Sequence, residues 1–158
     1  MKDRFDHLLD DTGWRILDEL QADGRISFAE LGRRVHLSTP AVAERVRKME
    51  DAGIIAGYHA RIDPAAIGLS IRAVIRVKAN RLSYERALAA VVGVPEVVEC
   101  HHVTGADDLV MTVLVESVGH LEAVLDRLRP CGDHVTSIVL SSPIARRSIE
   151  RPGRDLGG

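Results

Sequence analysis

The sequence predicts an α+β chain in two parts: three short helices, then a sheet with two helices in the order β-α-β-β-α-β. Three observations carry this. Apolar residues recur at helical spacing up to about residue 53 and alternate as β-branched runs after it. The breakers Asp23-Gly24, His36-Leu37-Ser38 and Gly53 divide the helical part into three. With 46% hydrophobic and 28% charged residues, the chain has the balance of a folded protein rather than a disordered one.

The first helix is expected from the stripe Trp14, Ile16, Leu17 and Leu20, and the second from Phe28, Leu31 and Val35. Ser27 and Glu30 have capping-box spacing and start the second helix at Ser27. Val42, Val46 and Met49 define the third, with Ser38 as N-cap and Pro40 in its first turn. Residues 54–62 read as a short strand or wing, closed by Asp63-Pro64. The first strand of the sheet is expected at 71–78, followed by a helix over 83–92 with Tyr84, Leu88 and Val91 as its apolar stripe. Strands at 96–104 and 109–116 flank a tight Gly105-Ala106-Asp107-Asp108 loop. A helix with Val118, Leu121, Leu125 and Leu128 on one side then leads to a last strand at 135–142. That order is the ferredoxin-like split βαβ arrangement. The expected divisions are a helical domain over 1–53, a wing and linker over 54–68, a sheet domain over 69–144 and a flexible tail over 145–158.

Length and composition narrow the function. The 158 residues suit one typical domain or two small ones. Apolar runs are too short to span a bilayer as a helix, and the start Met1-Lys2-Asp3-Arg4-Phe5-Asp6 lacks the apolar stretch of a secretory signal. Two cysteines make no disulfide framework, so a reducing, cytoplasmic setting is expected. Aromatics at 3% exclude a stacking platform for single strands, and a net charge of −2 excludes a general nucleic-acid coat.

Charge is nevertheless uneven. Within residues 33–48, Arg33, Arg34, Arg45, Arg47 and Lys48 face one acid, Glu44. Two readings of this run are open: a solvated helix face, and a patch that holds phosphate. At about 100° per residue, Val42, Val46 and Met49 fall together while Pro40, Ala41, Glu44, Arg47 and Lys48 fall opposite, with Arg45 at the boundary. Three short helices with a tight turn before the third fit a helix-turn-helix, whose last helix enters the major groove. Arg and Lys suit guanine edges and phosphates, and Glu accepts from cytosine. Arg33 and Arg34 read equally as phosphate contacts or solvated groups.

The run 23–31 (Asp-Gly-Arg-Ile-Ser-Phe-Ala-Glu-Leu), then Leu37-Ser38, then 42–50 (Val-Ala-Glu-Arg-Val-Arg-Lys-Met-Glu) resembles the Lrp/AsnC, or feast/famine, family of transcription regulators. Gly53-Ile54-Ile55-Ala56-Gly57-Tyr58, Asp63-Pro64, Gly68, Glu99-Cys100-His101 and Thr104-Gly105-Ala106-Asp107-Asp108 extend the likeness over residues 9–144. The resemblance implies a winged helix-turn-helix, a hinge strand and a ferredoxin-like domain for ligand binding and oligomerisation. It implies double-stranded DNA as a partner, read by Ser38, Thr39, Pro40, Ala41, Glu44, Arg45, Arg47 and Lys48. It further implies homodimers assembling to octamers, with an amino-acid effector at subunit interfaces held by His102, Thr104, Gly105, Ala106, Asp107, Asp108 and Thr136. No cofactor and no metal are implied.

Three positions depart from the family pattern. His36 stands where relatives usually have Gly, and His tolerates φ > 0 better than bulky residues. Gly13 replaces a common Asp and is expected to weaken its helix by about 1 kcal/mol relative to Ala. Ala106-Asp107 replaces an acidic–aromatic pair and leaves the identity of the ligand open.

The loop chemistry has its own two readings. Gly105 permits a tight turn whose amides receive a carboxylate while Asp108 pairs with an ammonium group, as a zwitterion requires. Alternatively, Asp107 and Asp108 are ordinary turn formers. Cys100, His101 and His102 raise the question of a metal site, but on a strand Cys100 and His102 share one face and His101 takes the other. His101 reads instead as a polar interface residue. No Ser-His-Asp order, phosphate loop or dinucleotide fingerprint occurs. The expected function is a DNA-binding transcriptional regulator responsive to a small molecule. The alternative is an enzyme resembling siroheme decarboxylases, which share both domains and would use His101, His102 and the C-terminal arginines.

Overall fold

Asp10, Ser27 and Ser38 each sit in extended backbone and accept a hydrogen bond from the amide three residues on, at 2.8, 3.2 and 3.4 Å. In the computed structural model, which describes residues 5–78 and 84–153, they cap α1 (Asp11–Ala22), α2 (Phe28–Val35) and α3 (Thr39–Asp51). The expected capping box at Ser27 is half formed, because the Glu30 carboxylate turns to Arg33 and Arg34 instead of back to the cap. His36 ends α2 at φ 60°, ψ 42°, so the left-handed turn expected there is kept. A Cβ on Gly32 would come within 2.6 Å of the Leu37 carbonyl, so α2 closes on the turn only because that residue is glycine.

Ile16, Leu31, Val35, Val42, Val46 and Met49 form the core of the helical part, with Leu8 from the preceding turn. Leu17 and Leu20 pack against it half-buried, but two further expected stripe residues take no part in it. Trp14 is only half-buried, and Phe28 is 44% exposed. Gly13 takes the buried position on α1, where a Cβ would lie 1.8 Å from the Leu8 carbonyl oxygen. Gly13 therefore permits close packing of the turn before α1, which corrects the expectation that it merely weakens the helix.

At its far end α3 stops in a Schellman arrangement: Gly53 takes φ 70°, its amide bonds the Glu50 carbonyl, and the Ile54 amide bonds the Met49 carbonyl at 2.9 Å. Ile54 and Ile55 then pack against the helical core. The strand or wing expected over 54–62 is therefore not formed. Its first amides cap α3, and no other described segment pairs with it. A short 3₁₀ turn at Ala65–Ile67 follows.

The second part contains β1 (Ile71–Lys78), α4 (Tyr84–Val92), β2 (Val97–His102), β3 (Leu109–Val115), α5 (Val118–Leu128) and β4 (Asp133–Ile138). The strands form one antiparallel sheet in the order β2-β3-β1-β4, the ferredoxin-like arrangement. Ile75 pairs with Met111 on one side and Thr136 on the other. Ala73, Ile75 and Val77 of β1 and alternate residues of β3 are buried with Ala87, Val91, Leu121, Val124 and Leu128 from the helices. Leu88 and Val118 are exposed instead, at 41% and 56%; Ala87 and Val124 take the core positions. The expected start of α4 at Ser83 and the side chain of Tyr84 lie outside the described residues. β4 starts and ends earlier than the 135–142 expected, because it is an edge strand and its pairing stops where β1 does: Ile138 faces Ala73, and the Val139 amide makes a last bond to the Arg72 carbonyl. The sheet face away from the helices carries Val74, Val110, Thr112, Leu114 and Val135 among charged residues.

The chain divides into two compact units, one holding the residues up to Ala60 together with the chain from Ile144 onward, the other Arg61–Pro143. The expected flexible tail is thus, in its described part, packed on the helical unit. The Gln21 side chain accepts from the Ile149 amide at 2.7 Å and donates to its carbonyl at 3.1 Å, and Arg151 pairs with Asp11. Trp14 and Arg15 of α1 and Glu150 and Pro152 of the tail line a cavity of about 590 Å³.

Candidate DNA-binding face and effector loop

The core fixes which side of α3 meets solvent. With Val42, Val46 and Met49 buried, Ser38, Thr39, Pro40, Ala41, Glu44, Arg47 and Lys48 are exposed. Arg45 is not on this free face. Its guanidinium bonds the Asp10 carboxylate and the His7 carbonyl, and only 23% of its side chain is accessible. Burial works to raise the Asp10 pKa, but the Gly13 amide and Arg45 outweigh it and hold the carboxyl below the usual range. Arg45 therefore joins α3 to the cap of α1, a link that the boundary position on a helical wheel did not disclose.

The remaining cations are also paired. Arg47 bonds Glu44 at 2.8 Å and Asp51 at 3.1 Å, and Lys48 stands 3.5 Å from Glu44. The Arg47 guanidinium holds the Glu44 carboxyl below the ordinary range. On α2, Arg33 bonds Glu30 at 2.6 Å, and Arg34 bonds both Glu30 and Glu19 at 2.7 Å. These two arginines bring the Glu30 carboxyl down to about 2. Pairs exposed to water are weak and screened by salt. A phosphate, which binds guanidinium in the same bidentate way, competes with them effectively.

The second group of residues clusters around the β2–β3 loop. Val103 donates to the Asp108 carbonyl at 3.0 Å, closing the loop, and the Asp108 amide bonds the Val77 carbonyl at 2.9 Å, tying it to β1. Gly105 adopts φ 121° with open space where a Cβ would stand, so its requirement is conformational. Thr104, Gly105 and Ala106 are exposed; Asp107 and Asp108 are half-buried, and Asp108 Oδ2 lies 3.6 Å from Lys78 Nζ. Thr136 lies elsewhere. It faces Ile75 in register, two positions further along the sheet than the row His102–Leu109–Val77–His134, and its hydroxyl is buried without a hydrogen-bond partner. One protomer therefore brings His102 and residues 104–108 together at one end of the sheet but leaves Thr136 on β4, at the opposite edge from β2.

The register also separates Cys100 from His101. Cys100 pairs with buried Met111 and packs on the core, whereas His101 pairs with Val110 on the opposite face. Among the described residues no three His, Cys, Asp or Glu side chains form a metal-holding group. No helix among them is long and apolar enough to cross a membrane.

A helix-turn-helix with a solvent-facing third helix, joined to a separate βαββαβ unit, defines a two-domain DNA-binding regulator. Comparison places it further. The AsnC-type helix-turn-helix domain matches residues 9–50, and the Lrp/AsnC ligand binding domain matches residues 72–149. The HTH-type transcriptional regulator Rv2324 of Mycobacterium tuberculosis is 40% identical, over 87% of this chain and 96% of its own. The leucine-responsive regulatory protein of Salmonella typhimurium is 36% identical, over 84% of this chain and 85% of its own. A Neisseria meningitidis transcriptional regulator, solved as its L-Met complex, superposes with TM-score 0.84 and 33% identity, over 89% of this chain and 96% of that one. The chain belongs to the Lrp/AsnC family of transcriptional regulators. These relatives are regulators and not enzymes, which sets aside the siroheme-decarboxylase-like alternative.

Proposed function

We propose that this regulator reads its operator with the exposed face of α3 and that an amino acid, bound by its sheet unit, changes how copies of the chain assemble on DNA. The observation that carries the first half is the orientation of α3: its apolar side is locked in the core, leaving Ser38, Thr39, Pro40, Ala41, Glu44, Arg47 and Lys48 to meet a major groove. Arg47 and Lys48 exchange their carboxylate partners for phosphates or guanine edges, and Glu44, released, accepts from cytosine. Arg45 acts indirectly, by seating α3 against α1.

For the second half, the leucine-responsive and L-Met-bound relatives support an amino acid. The Gly105–Asp108 loop offers amides for its carboxylate and Asp108 for its ammonium group. Because Thr136 and the loop lie apart in one protomer, the site we assign to His102, Thr104, Gly105, Ala106, Asp107, Asp108 and Thr136 is completed by neighbouring copies. The half-apolar outer face of the sheet favours a homodimer, and dimers build the octamer. The protein works in the cytoplasm, where its DNA is.

One experiment tests both halves: fluorescence anisotropy of operator DNA selected from a random pool, with sedimentation in the presence of each proteinogenic amino acid. We expect an enriched sequence, with at least one amino acid shifting both affinity and assembly size, since coupling is reciprocal. Binding equally tight to every duplex overturns the base-reading role, and indifference to all of the amino acids overturns the effector class.

A further inference from the structure

Phe28 opens α2 and is 44% exposed, although Leu31, Gly32 and Val35 already fill the buried side of that helix. The helical turn that carries the ring is fixed. Ser27 caps the helix directly before it, and Glu30, two residues on, is fixed by Arg33 and Arg34. Phe28 forms one wall of a groove of about 420 Å³ whose other walls are Pro40, Ala43, Glu44, Arg47 and Glu50. Pro40, Glu44 and Arg47 belong to the face assigned above to base reading, so the apolar patch of Phe28, Pro40 and Ala43 continues that face.

We propose that this patch seats the 5-methyl group of a thymine in the major groove, making Phe28 a specificity-determining residue that fixes one operator position in each half-site. The inference rests on α3 as the reading helix. Two features select this occupant. Thymine is the base that presents an apolar group in the major groove, and aromatic and small apolar side chains are its usual contacts. The charges of the groove point the same way. Glu44 and Glu50 border it with one cation, Arg47, which Asp51 also engages. Glu50 is held as an acceptor by the Tyr58 hydroxyl, whose pKa is pushed up to about 12 by burial and by that carboxylate. A phosphate entering here would meet two carboxylates, whereas a methyl group carries no charge for them to repel.

The test uses the full chain and an operator selected from random duplex DNA. Each thymine of that operator is replaced in turn by deoxyuridine, which removes only the methyl, and binding is measured for the wild type, Phe28→Ala and Phe28→Leu. In the wild type we expect one thymine per half-site at which uracil weakens binding about fourfold, the effect of one methyl left unburied. Phe28→Ala should bind the thymine and uracil forms alike, and Phe28→Leu should keep part of the preference. The salt dependence of Phe28→Ala should match wild type, because no phosphate contact is lost. Several outcomes overturn the proposal: no methyl-sensitive thymine, a uracil penalty undiminished in Phe28→Ala, or an altered assembly size in Phe28→Ala with methyl sensitivity intact, which gives the groove to a second copy. An enriched operator with any of these leaves the α3 reading standing. Absence of any enriched sequence removes that reading, and this one with it.

Discussion

Arg45 and Lys48 are three residues apart on α3, yet the structure gives them different work. Arg45 is engaged with Asp10 and His7, whereas Lys48 pairs with the exposed Glu44. Arg45→Ala should therefore lower the stability of the helical unit by about 1 kcal/mol, a half-exposed charged hydrogen bond being weaker than a buried one. Lys48→Ala should leave the urea midpoint in place and instead reduce the slope of log affinity against log salt by about one. Equal effects of both variants on stability would show that the Asp10 link is not structural. Gly13 illustrates a residue whose role sequence logic inverts. In an ordinary exposed helix, Gly→Ala gains about 1 kcal/mol. Here the added Cβ meets the Leu8 carbonyl oxygen at 1.8 Å, so Gly13→Ala should lose about 1–3 kcal/mol through forced repacking, read as a lower unfolding midpoint. Periodicity reports which side of a helix is apolar. It does not report how closely a neighbouring turn approaches.

Elements were legible where their determinants are local. Ser27, Ser38, Gly53 and the left-handed His36 lie within a few residues of the ends they set, and all act as their chemistry predicts. The expected strand over 54–62 and the bounds of β4 were not legible, because a strand exists only against a partner and the partner's extent is set far away in the chain. The same limit hid the cluster that fixes α5 to the start of β2. Glu96, with 15% of its side chain accessible, accepts from Arg127 at 2.6 Å and from His120 at 2.8 Å. Arg127, and then His120, hold its carboxyl down at about 2. A carboxyl depressed in the folded state stabilises at any pH above its unfolded value, and this contribution disappears as pH falls from about 4.5 through about 2. Acid titration of the wild type should thus show a loss of stability over that window, which Glu96→Gln reduces. Unchanged acid sensitivity in Glu96→Gln would assign the loss to other carboxylates.

At the scale of the whole molecule, the presence of two domains in series was legible from the change of period near residue 53, but the return of the chain was not. The sequence beyond 144 has the arginine, glycine and proline content of a loose end. Nothing in it announces that Ile149 will meet Gln21, because an amide side chain clamping a backbone leaves no periodic trace. The helical unit is therefore built from both ends of the chain, and the two units are joined by two crossings rather than one. Removing residues 144–158 should act on the helical unit alone. It deletes both bonds between Gln21 and Ile149 and the ion pair of Arg151 with Asp11. Neutral hydrogen bonds contribute about 0.5–1.5 kcal/mol each, and exposed pairs less, so a loss of about 1–2 kcal/mol is expected. The single tryptophan of the chain supplies the readout, since Trp14 lines the cavity beside the tail. Truncation after Pro143 should shift its emission to the red and lower the urea midpoint followed by fluorescence. The midpoint of the sheet, followed by hydrogen exchange of β1 and β3, should stay where it is. Gln21→Ala in the full chain should reproduce part of the fluorescence shift. If truncation leaves Trp14 emission and its midpoint unchanged, the tail does not hold to α1 in solution.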